Sequence, residues 1–320
     1  MSTYKKEVGT AVQNFAGDYT GAVQGQLWYN STAGSFQFRL ISTAGAWSTG
    51  GNLNTARAQL AGAGTQTAAL AFGGNTPPPA TAVTESYNGT SWTELNDLNT
   101  ARRLLSGVGT QTSALAFGGL APPQTAVTES WNGTSWTEVN DLNTARYGLA
   151  GAGADNTSSL AFGGTPPITG VTESWNGTSW TEVNDLNTAR TGLAGAGANN
   201  TAALAFGGFL PPTTAVTESW DGTSWTEVND LNSAREVLAG AGTQTAALGF
   251  GGDIPPPTAA TEEWNGTCWS EVNDLNTARY SLGGAGIQTA ALAFGGTPPT
   301  TATEEWNGAG APVTETITTS

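Results

Sequence analysis

Residues 142–185 read LNTARYGLAGAGADNTSSLAFGGTPPITGVTESWNGTSWTEVND, and the chain repeats this unit six times, with small changes, between residues 53 and 307. The Gly-Gly pair of each copy recurs at steps of 45, 45, 44, 44 and 44 residues, beginning at Gly73, Gly118, Gly163, Gly207, Gly251 and Gly295. A period of this length predicts one supersecondary unit stacked on copies of itself. Positions at which the copies differ are not fixed by the scaffold, so function is expected there.

The composition of the 320-residue chain excludes several classes of function. Charged residues make up only 11%, and the formal net charge is −15 with a pI near 4.1. Nucleic acids and anionic membranes require a basic protein surface, so neither is expected as a partner. The chain contains no histidine, which excludes histidine triads, histidine general bases and histidine metal sites. We expect neither a cofactor nor a metal ion.

The single cysteine and the N-terminal residues bear on localisation. Cys268 stands where other copies carry serine, and it is interpreted as an inert substitution. No apolar run follows Lys5 and Lys6, and no segment is long enough to span a bilayer. The sequence therefore predicts neither a signal peptide nor membrane insertion. The protein is expected to be made in a cytoplasm and to leave it by lysis or by assembly.

Each copy is predicted to form four short antiparallel strands. In the quoted copy, YGLAGAG and SLAFGG are the first and second strands, GVTESWN is the third, and WTEVNDL is the fourth. The TPPIT loop lies outside the sheet because proline cannot donate ladder hydrogen bonds. Asn176-Gly177 predicts a two-residue hairpin turn in which both residues have positive φ. Four such strands per copy match one blade of a β-propeller.

Side-chain size rises from the first strand of each copy to the fourth. The first strand is mostly Gly and Ala, as expected of a strand near a crowded central axis, whereas Trp pairs stand on the third and fourth strands. Neighbouring blades splay apart there, and the indole rings are expected to fill the space. Burying one Trp removes roughly 150–250 Å² from water, so packing between blades is predicted to dominate stability.

The copies resemble the kelch repeat. The shared features are a Gly pair ending the second strand, an aromatic residue in the third, then a Trp and an Arg, as in Gly163-Gly164, Trp175, Trp180 and Arg190. The chain departs from the usual pattern in having Trp-Asn where kelch repeats carry Tyr-Asp. The resemblance implies a β-propeller, and six copies predict an all-β, six-bladed kelch-type ring. It implies no single function, because kelch propellers serve as enzymes and as binding modules.

The two ends of the repeat region predict how the ring closes. Five copies continue into a fourth strand with its own Trp, but after Trp306 that Trp is missing. Trp47 instead stands ten residues before Arg57, a spacing that recurs in the other copies. We therefore expect residues 46–53 to supply the outer strand of the last blade. The C-terminal tail PVTETITTS has strand composition and is the alternative.

Residues 1–43 lie outside the period and are predicted to form a separate segment, followed by the propeller over residues 44–320. GQLWYNSTAGSFQFRL, residues 25–40, is typical of a hairpin with aromatic strands around a polar turn. It is similar to short segments near the N-termini of tailed-phage fibre and appendage proteins. The resemblance implies a virion protein attached to other virion proteins, and a homo-oligomer formed through this segment. The alternative is an additional hairpin packed on the propeller.

The face formed by the Pro loops and the LNTAR connections is where the copies differ. This face is expected to converge on one mouth of a central channel. Aromatic side chains with a few charged groups suit sugar rings or a protein epitope, so we hypothesise a ligand-binding surface there. The alternative is drift at tolerant loop positions. The candidate residues are Arg103, Leu120, Tyr147, Phe209, Leu210, Glu236, Asp253, Ile254 and Tyr280.

Charged residues that recur in every copy are interpreted as scaffold. The recurring Arg is expected to bond loop carbonyls or to pair with a neighbouring Glu, and the recurring Asp to cap loop backbone. A calcium site in the Asn-Asp-Leu-Asn loops is disfavoured because no spaced row of Asp ligands exists. The Asn-x-Ser/Thr sequences at Asn132 and Asn176 are interpreted as hairpin turns rather than glycosylation sites.

These observations favour a non-catalytic structural or receptor-recognition module of a virion. The expected protein is a phage tail-fibre or appendage component that binds a host-surface glycan or protein. One alternative is a sugar-active enzyme on a propeller scaffold, with Glu236 and Asp253 as candidate carboxylates; kelch-type copper oxidases need histidine ligands, which are missing here. The other alternative is an intracellular kelch-type adaptor, which the lack of a partner domain in residues 1–43 disfavours.

Overall fold

The structure of the protein is a computed structural model that describes residues 13–16, 26–41, 44–76, 79–309 and 312–317. These residues form strands and loops, and no helix occurs among them. The described residues from 46 to 307 make one compact unit, the repeat unit. Those before residue 46 and after residue 307 make a second unit, the terminal unit.

The strands are numbered in chain order. Four of them precede the first repeat, namely β1 (Gln13–Phe15), β2 (Leu27–Asn30), β3 (Ser35–Ile41) and β4 (Ala46–Thr49). The first three repeats contain β5 (Ala61–Thr65), β6 (Ala68–Phe72), β7 (Thr84–Tyr87), β8 (Trp92–Glu94), β9 (Ser106–Thr110), β10 (Ser113–Phe117), β11 (Thr128–Trp131), β12 (Trp136–Val139), β13 (Ala150–Gly153), β14 (Ser159–Phe162), β15 (Thr172–Trp175) and β16 (Trp180–Val183). The remaining strands are β17 (Ala194–Asn199), β18 (Ala202–Phe206), β19 (Thr217–Trp220), β20 (Trp225–Val228), β21 (Ala239–Thr243), β22 (Ala246–Phe250), β23 (Thr261–Trp264), β24 (Trp269–Val272), β25 (Gly283–Ile287), β26 (Ala290–Phe294), β27 (Thr303–Asn307) and β28 (Pro312–Ile317).

The repeat unit consists of four-stranded antiparallel sheets. Sheets 1 to 5 each use four consecutive strands, β5–β8, β9–β12, β13–β16, β17–β20 and β21–β24. Sheet 6 has the order β25-β26-β27-β4. The predicted all-β repeat architecture is therefore confirmed, and it is compatible with a β-propeller.

The outer strand of sheet 6 comes from the N-terminal side of the repeats. Strand β4 pairs antiparallel with β27, and Trp47 lies directly opposite Trp306. The C-terminal strand β28 pairs instead with β3 in the terminal unit. The sequence analysis placed the C-terminal tail in the propeller domain, residues 44–320, and gave it as the alternative outer strand of the last blade. In sheet 6 that outer position is taken by β4.

The terminal unit is a four-stranded sheet of order β1-β2-β3-β28. Strands β2 and β3 form the antiparallel hairpin expected from the aromatic pattern, with Tyr29 opposite Phe36, and these two rings pack edge to face at 5.2 Å. Strand β1 pairs parallel with β2. The predicted N-terminal segment also includes residues 1–12, 17–25 and 42–43, which lie outside the described part of the chain.

The first strands of successive sheets approach each other so closely that glycine is required. A Cβ atom added to Gly195 on β17 would lie 2.6 Å from the carbonyl oxygen of Gly151 on β13. A Cβ on Gly62 of β5 would lie equally close, at 2.6 Å, to the carbonyl oxygen of Gly284 on β25. Glycine at these two positions thus follows from the close approach of the neighbouring backbone, which leaves no room for a Cβ atom.

Indole rings join each sheet to the preceding one. The ring of Trp136 in sheet 2 packs 4.9 Å from the ring of Phe72 in sheet 1, and its Nε1 donates to Thr84 Oγ1 at 3.0 Å. The buried indole N–H therefore has a partner, as its desolvation requires. The same Trp–Thr hydrogen bond recurs as Trp47–Thr261, Trp92–Thr303, Trp180–Thr128, Trp225–Thr172 and Trp269–Thr217.

The hairpin turn between the third and fourth strands differs from the prediction. Only Gly177 has positive φ, at 90°, whereas Asn176 does not. The Asn176 Oδ1 atom accepts hydrogen bonds from the backbone N–H groups of Thr178 and Ser179, both at 2.9 Å. The predicted turn with two residues of positive φ is wrong because the Asn side chain caps the turn from the position before it.

Candidate functional site

The recurring Arg and Glu form buried ion pairs under the variable face. Arg57 Nη2 lies 2.9 Å from Glu85 Oε1, and both side chains are fully buried. Arg57 Nη1 also donates to the carbonyl oxygens of Gly73 and Val83 at 3.0 and 2.6 Å. Burial lowers the pKa of Arg57, and the charge of Glu85 opposes that shift. Equivalent pairs are Arg102–Glu129, Arg146–Glu173, Arg190–Glu218, Arg235–Glu262 and Arg279–Glu304.

The same Glu and the recurring Asp fix the loops between sheets. Glu85 Oε2 accepts from the backbone N–H and the Nδ2 of Asn54, at 2.7 and 2.9 Å. Asp97 Oδ1 accepts from the backbone N–H of Thr84 at 3.0 Å. The Glu–Asn bond recurs in all six copies and the Asp–Thr bond in five, so these bonds hold the loops between sheets. The variable residues are therefore presented from a rigid base.

Six backbone groups form a hydrogen-bonded circle at this end of the repeats. Each member stands two residues after the recurring Arg, and its N–H donates to the carbonyl oxygen of the equivalent residue in the preceding repeat, at 2.6–2.9 Å. We call this circle the peptide ring; its members are Gln59, Leu104, Gly148, Gly192, Val237 and Ser281. All six have positive φ, between 47° and 63°. The ring was missed by the sequence analysis, although glycine at two of six equivalent positions is a signal for positive φ.

A cavity of about 390 Å³ lies against the peptide ring. We call it the mouth cavity. Its lining includes the ring residues Gln59, Leu104, Gly148, Gly192, Val237 and Ser281, together with Tyr147, Thr165, Thr191, Glu236, Asp253 and Tyr280. The ring residues also line a second, smaller space with the leucines that follow them, such as Leu149 and Leu193. The ring therefore separates the mouth cavity from the space between the first strands of the sheets.

Four of the predicted site residues line the mouth cavity, namely Tyr147, Glu236, Asp253 and Tyr280. The other five are absent from its lining. Arg103 donates from Nη1 to Gln59 Oε1 at 2.9 Å and forms a β-bridge with Leu120, as Phe209 does with Thr191. Leu210 and Ile254 are exposed, at 40% and 38%. The sequence missed Thr165 and Thr191, because threonine is common throughout the repeats and gives no signal.

The two acidic residues of the mouth cavity are direct neighbours. Glu236 and Asp253 form an antiparallel bridge, in which Glu236 N–H donates to Asp253 O at 3.2 Å and Asp253 N–H donates to Glu236 O at 2.9 Å. Side chains so paired project to the same side. Burial raises the pKa of the Glu236 carboxyl, and the charge of Asp253 raises it further. Asp253 Oδ1 is buried and has no hydrogen-bond partner.

Among the residues that the structure describes, no three or more His, Cys, Asp or Glu side chains are grouped so that they could hold a metal ion. No helix in the described ranges could cross a membrane. The mouth cavity is thus characterised by two tyrosines and a pair of adjacent carboxylates.

The fold and the site define an all-β repeat protein, with propeller-like four-stranded sheets joined by Trp–Thr hydrogen bonds and a cavity at one end. No protein-family model matches the chain, and a search of curated proteins found no match either.

Proposed function

We propose that the six repeat sheets form a closed, six-bladed β-propeller of the kelch kind, with β4 as the outer strand of the last blade. Three contacts support this. Strand β4 pairs with β27, Trp47 Nε1 donates to Thr261 Oγ1 at 3.0 Å as its equivalents do, and Gly62 of sheet 1 packs on Gly284 of sheet 6. The peptide ring also supports it, since each repeat bonds to the preceding one and the first bonds to the sixth.

On this scaffold we propose a non-catalytic recognition module of a virion, a phage tail-fibre or appendage component. It would bind a host-surface glycan or protein through the mouth cavity. One observation carries the proposal. The cavity brings together Tyr147, Glu236, Asp253 and Tyr280, which are residues that differ between otherwise near-identical repeats. A scaffold of repeated sheets does not require any of them.

The chemistry of the cavity suits recognition. Its volume of about 390 Å³ lies in the range of small-ligand sites, roughly 300–1,000 Å³. Tyrosine presents an apolar ring together with a polar hydroxyl, which matches both the faces and the hydroxyls of a sugar. The rigid base of ion pairs and loop caps limits the conformational entropy lost on binding.

The remaining parts of the proposal concern the terminal unit. We propose that the sheet β1-β2-β3-β28 joins the protein to other virion proteins, directly or as a homo-oligomer. The resemblance of residues 25–40 to segments of phage fibre proteins supports this assignment. So does its separate strand arrangement, in which β28 pairs with β3 and leaves the repeat sheets complete without it.

A binding assay on host cells and a glycan array test the proposed function. The double variant Tyr147→Ala/Tyr280→Ala should abolish binding with little change in melting temperature, because neither ring contributes to the buried Trp–Phe packing. The matched control is Ile287→Ala, which removes an exposed apolar side chain (52% exposed) at the end of β25. The control should bind like the parent protein. Undiminished binding by the double variant would reject the mouth cavity as the site.

A second candidate function is glycoside hydrolysis, because the carboxylates of Glu236 and Asp253 are neighbours and burial raises the pKa of one of them. A pair in which one carboxyl stays protonated and the other ionised is the requirement of general acid catalysis on a glycoside. Release of reducing sugar from bound glycans, abolished by Glu236→Gln, would support the enzyme. Binding without turnover supports the recognition module.

A further inference from the structure

The mouth cavity carries negative charge that nothing in its lining neutralises. Among the described residues that line the cavity, Glu236 and Asp253 are the only charged ones. Arg103 is the one cationic residue among the predicted site residues. It is absent from the lining, and its Nη1 donates to Gln59 Oε1. Asp253 Oδ1 is buried without a hydrogen-bond partner. A buried acceptor without a donor is unfavourable, so Asp253 Oδ1 is an acceptor that a group bound in the cavity could use.

The backbone forces the two carboxylates together. The two mutual hydrogen bonds between Glu236 and Asp253, of 3.2 and 2.9 Å, put their side chains on one side of the bridge. Like charges placed directly opposite each other destabilise a strand pair unless a cation offsets them, as Arg190 does for Glu218 opposite Glu227. The equivalent bridges in other repeats are uncharged or carry a single charge, as in Tyr147–Thr165, Tyr280–Thr297 and Arg103–Leu120. A cation bound between the carboxylates would remove this repulsion.

Two aromatic rings complete the surroundings of the carboxylates. Tyr280 belongs to the repeat that follows Glu236, Tyr147 comes from another repeat, and both line the same cavity. Both side chains are partly buried. The face of a tyrosine ring attracts an ammonium group within about 6 Å, and the attraction grows when the group is desolvated.

We propose, on the basis of the recognition function given above, that the mouth cavity recognises a primary ammonium group. The carboxylates of Glu236 and Asp253 would accept its N–H donors, and the rings of Tyr147 and Tyr280 would contact its charge. A divalent metal ion is the weaker candidate, since Ca²⁺ takes six to eight oxygen ligands and this lining offers two carboxylates. An ammonium group can be carried by an amino sugar or by a lysine side chain, and these two sources share the chemistry.

Calorimetric titration of the full chain tests the ammonium specificity. The probes are glucosamine and lysine amide, each compared with its N-acetylated form, which lacks the charge. We expect at least one amine to bind, and its acetylated form to bind about tenfold more weakly or not at all. The amine that binds identifies the source, sugar or peptide. Equal binding of the free and acetylated forms, or failure of both amines to bind, would overturn the proposal.

Two double variants assign the binding to the carboxylate pair. Glu236→Gln/Asp253→Asn should weaken binding of the amine probe by about tenfold or more. The matched control Glu227→Gln/Glu271→Gln removes the same charge from exposed positions on β20 and β24, and it should bind the probe like the parent protein. If both variants weaken binding equally, the effect is the general field of an acidic protein and the proposal is wrong. A third result would also overturn the proposal. In it, CaCl₂ displaces the amine from the parent protein, but Glu236→Gln/Asp253→Asn still binds the amine when calcium is absent.

The outcomes for this inference and for the proposed function are distinguishable. If Tyr147→Ala/Tyr280→Ala abolishes host-cell binding but no amine probe binds, the recognition function stands and the ammonium specificity is wrong. If that variant still binds host cells like the parent protein, the recognition function itself is rejected at this cavity.

Discussion

The backbone N–H of Gln59, in the first repeat, donates a hydrogen bond of 2.8 Å to the carbonyl oxygen of Ser281, in the sixth. This bond joins residues at opposite ends of the repeat region. The same bond also links every two successive repeats. The peptide ring therefore ties together all six copies through the main chain. All its members have positive φ, a backbone conformation that residues other than Gly adopt only at an energetic cost.

The first prediction concerns the glycine positions of the peptide ring. Gly148→Ala should destabilise the protein by about 1–2 kcal/mol, because φ is 63° and a Cβ there would lie 2.5 Å from Thr191 Oγ1. Urea unfolding measures the change. Ser281→Ala is the control, since Ser281 already has a Cβ and a φ of 54°; its free energy of unfolding should change by less than about 0.5 kcal/mol. A free energy of unfolding for Gly148→Ala equal to that of the parent protein would contradict this account.

The second prediction tests β4 as an integral strand of sheet 6. Trp47→Ala should lower the free energy of unfolding by about 3–5 kcal/mol, and Trp136→Ala by a similar amount. The two residues make the same contacts, a phenylalanine ring at 5.0 and 4.9 Å and a threonine hydroxyl at 3.0 Å in both cases. A loss for Trp47→Ala that is clearly smaller than for Trp136→Ala would show that β4 is dispensable.

The third prediction concerns the buried ion pairs. Glu218→Gln should destabilise the protein by about 3–5 kcal/mol, because Arg190 would stay buried without its counter-charge and both side chains are fully buried. Glu227 lies directly opposite Glu218 on the neighbouring strand and is exposed. Glu227→Gln is therefore a matched control, expected within about 0.5 kcal/mol of the parent protein in thermal or urea unfolding. Equal effects of the two substitutions would refute a structural role for the pair.

The fourth prediction is a pH dependence set by Glu236. Its pKa in the folded state is above the ordinary value of 4.5, because of burial and the charge of Asp253. Between these two pKa values the folded state binds more protons than the unfolded state, so stability falls as pH rises through this window. Glu236→Gln does not titrate at this position, so its free energy of unfolding does not fall with this group as pH rises. The stability of the variant relative to the parent protein should therefore rise between about pH 4 and about pH 7, by less than about 1 kcal/mol, because solvent screens a partly exposed carboxylate.

Unfolding curves at both pH values measure this difference, with Glu227→Gln as the exposed control. A constant difference between Glu236→Gln and the parent protein at the two pH values would show that the pKa of Glu236 is not raised in the folded state.

Local sequence signals predicted some features of the fold and not others. The strand positions and the scaffold role of the recurring Arg follow from a pattern written six times. The turn at Asn176 was predicted with the wrong conformation, because a side-chain hydrogen bond to Thr178 and Ser179 replaces the expected backbone geometry. The mouth cavity was predicted as a face, but four of nine candidate residues line it, since loop curvature is not encoded in spacing.

The sequence by itself determined the repeated unit, because side-chain size and turn residues act within a few residues of one another. Only the tertiary structure decided which segment completes sheet 6, where two segments with strand composition were available and Trp47 finds Phe250 and Thr261. It also decided that Glu236 and Asp253 are neighbours. The spacing of Trp47 and Arg57 favoured residues 46–53 for this edge, but contacts between residues far apart in the chain depend on how whole sheets pack, and spacing alone does not place them.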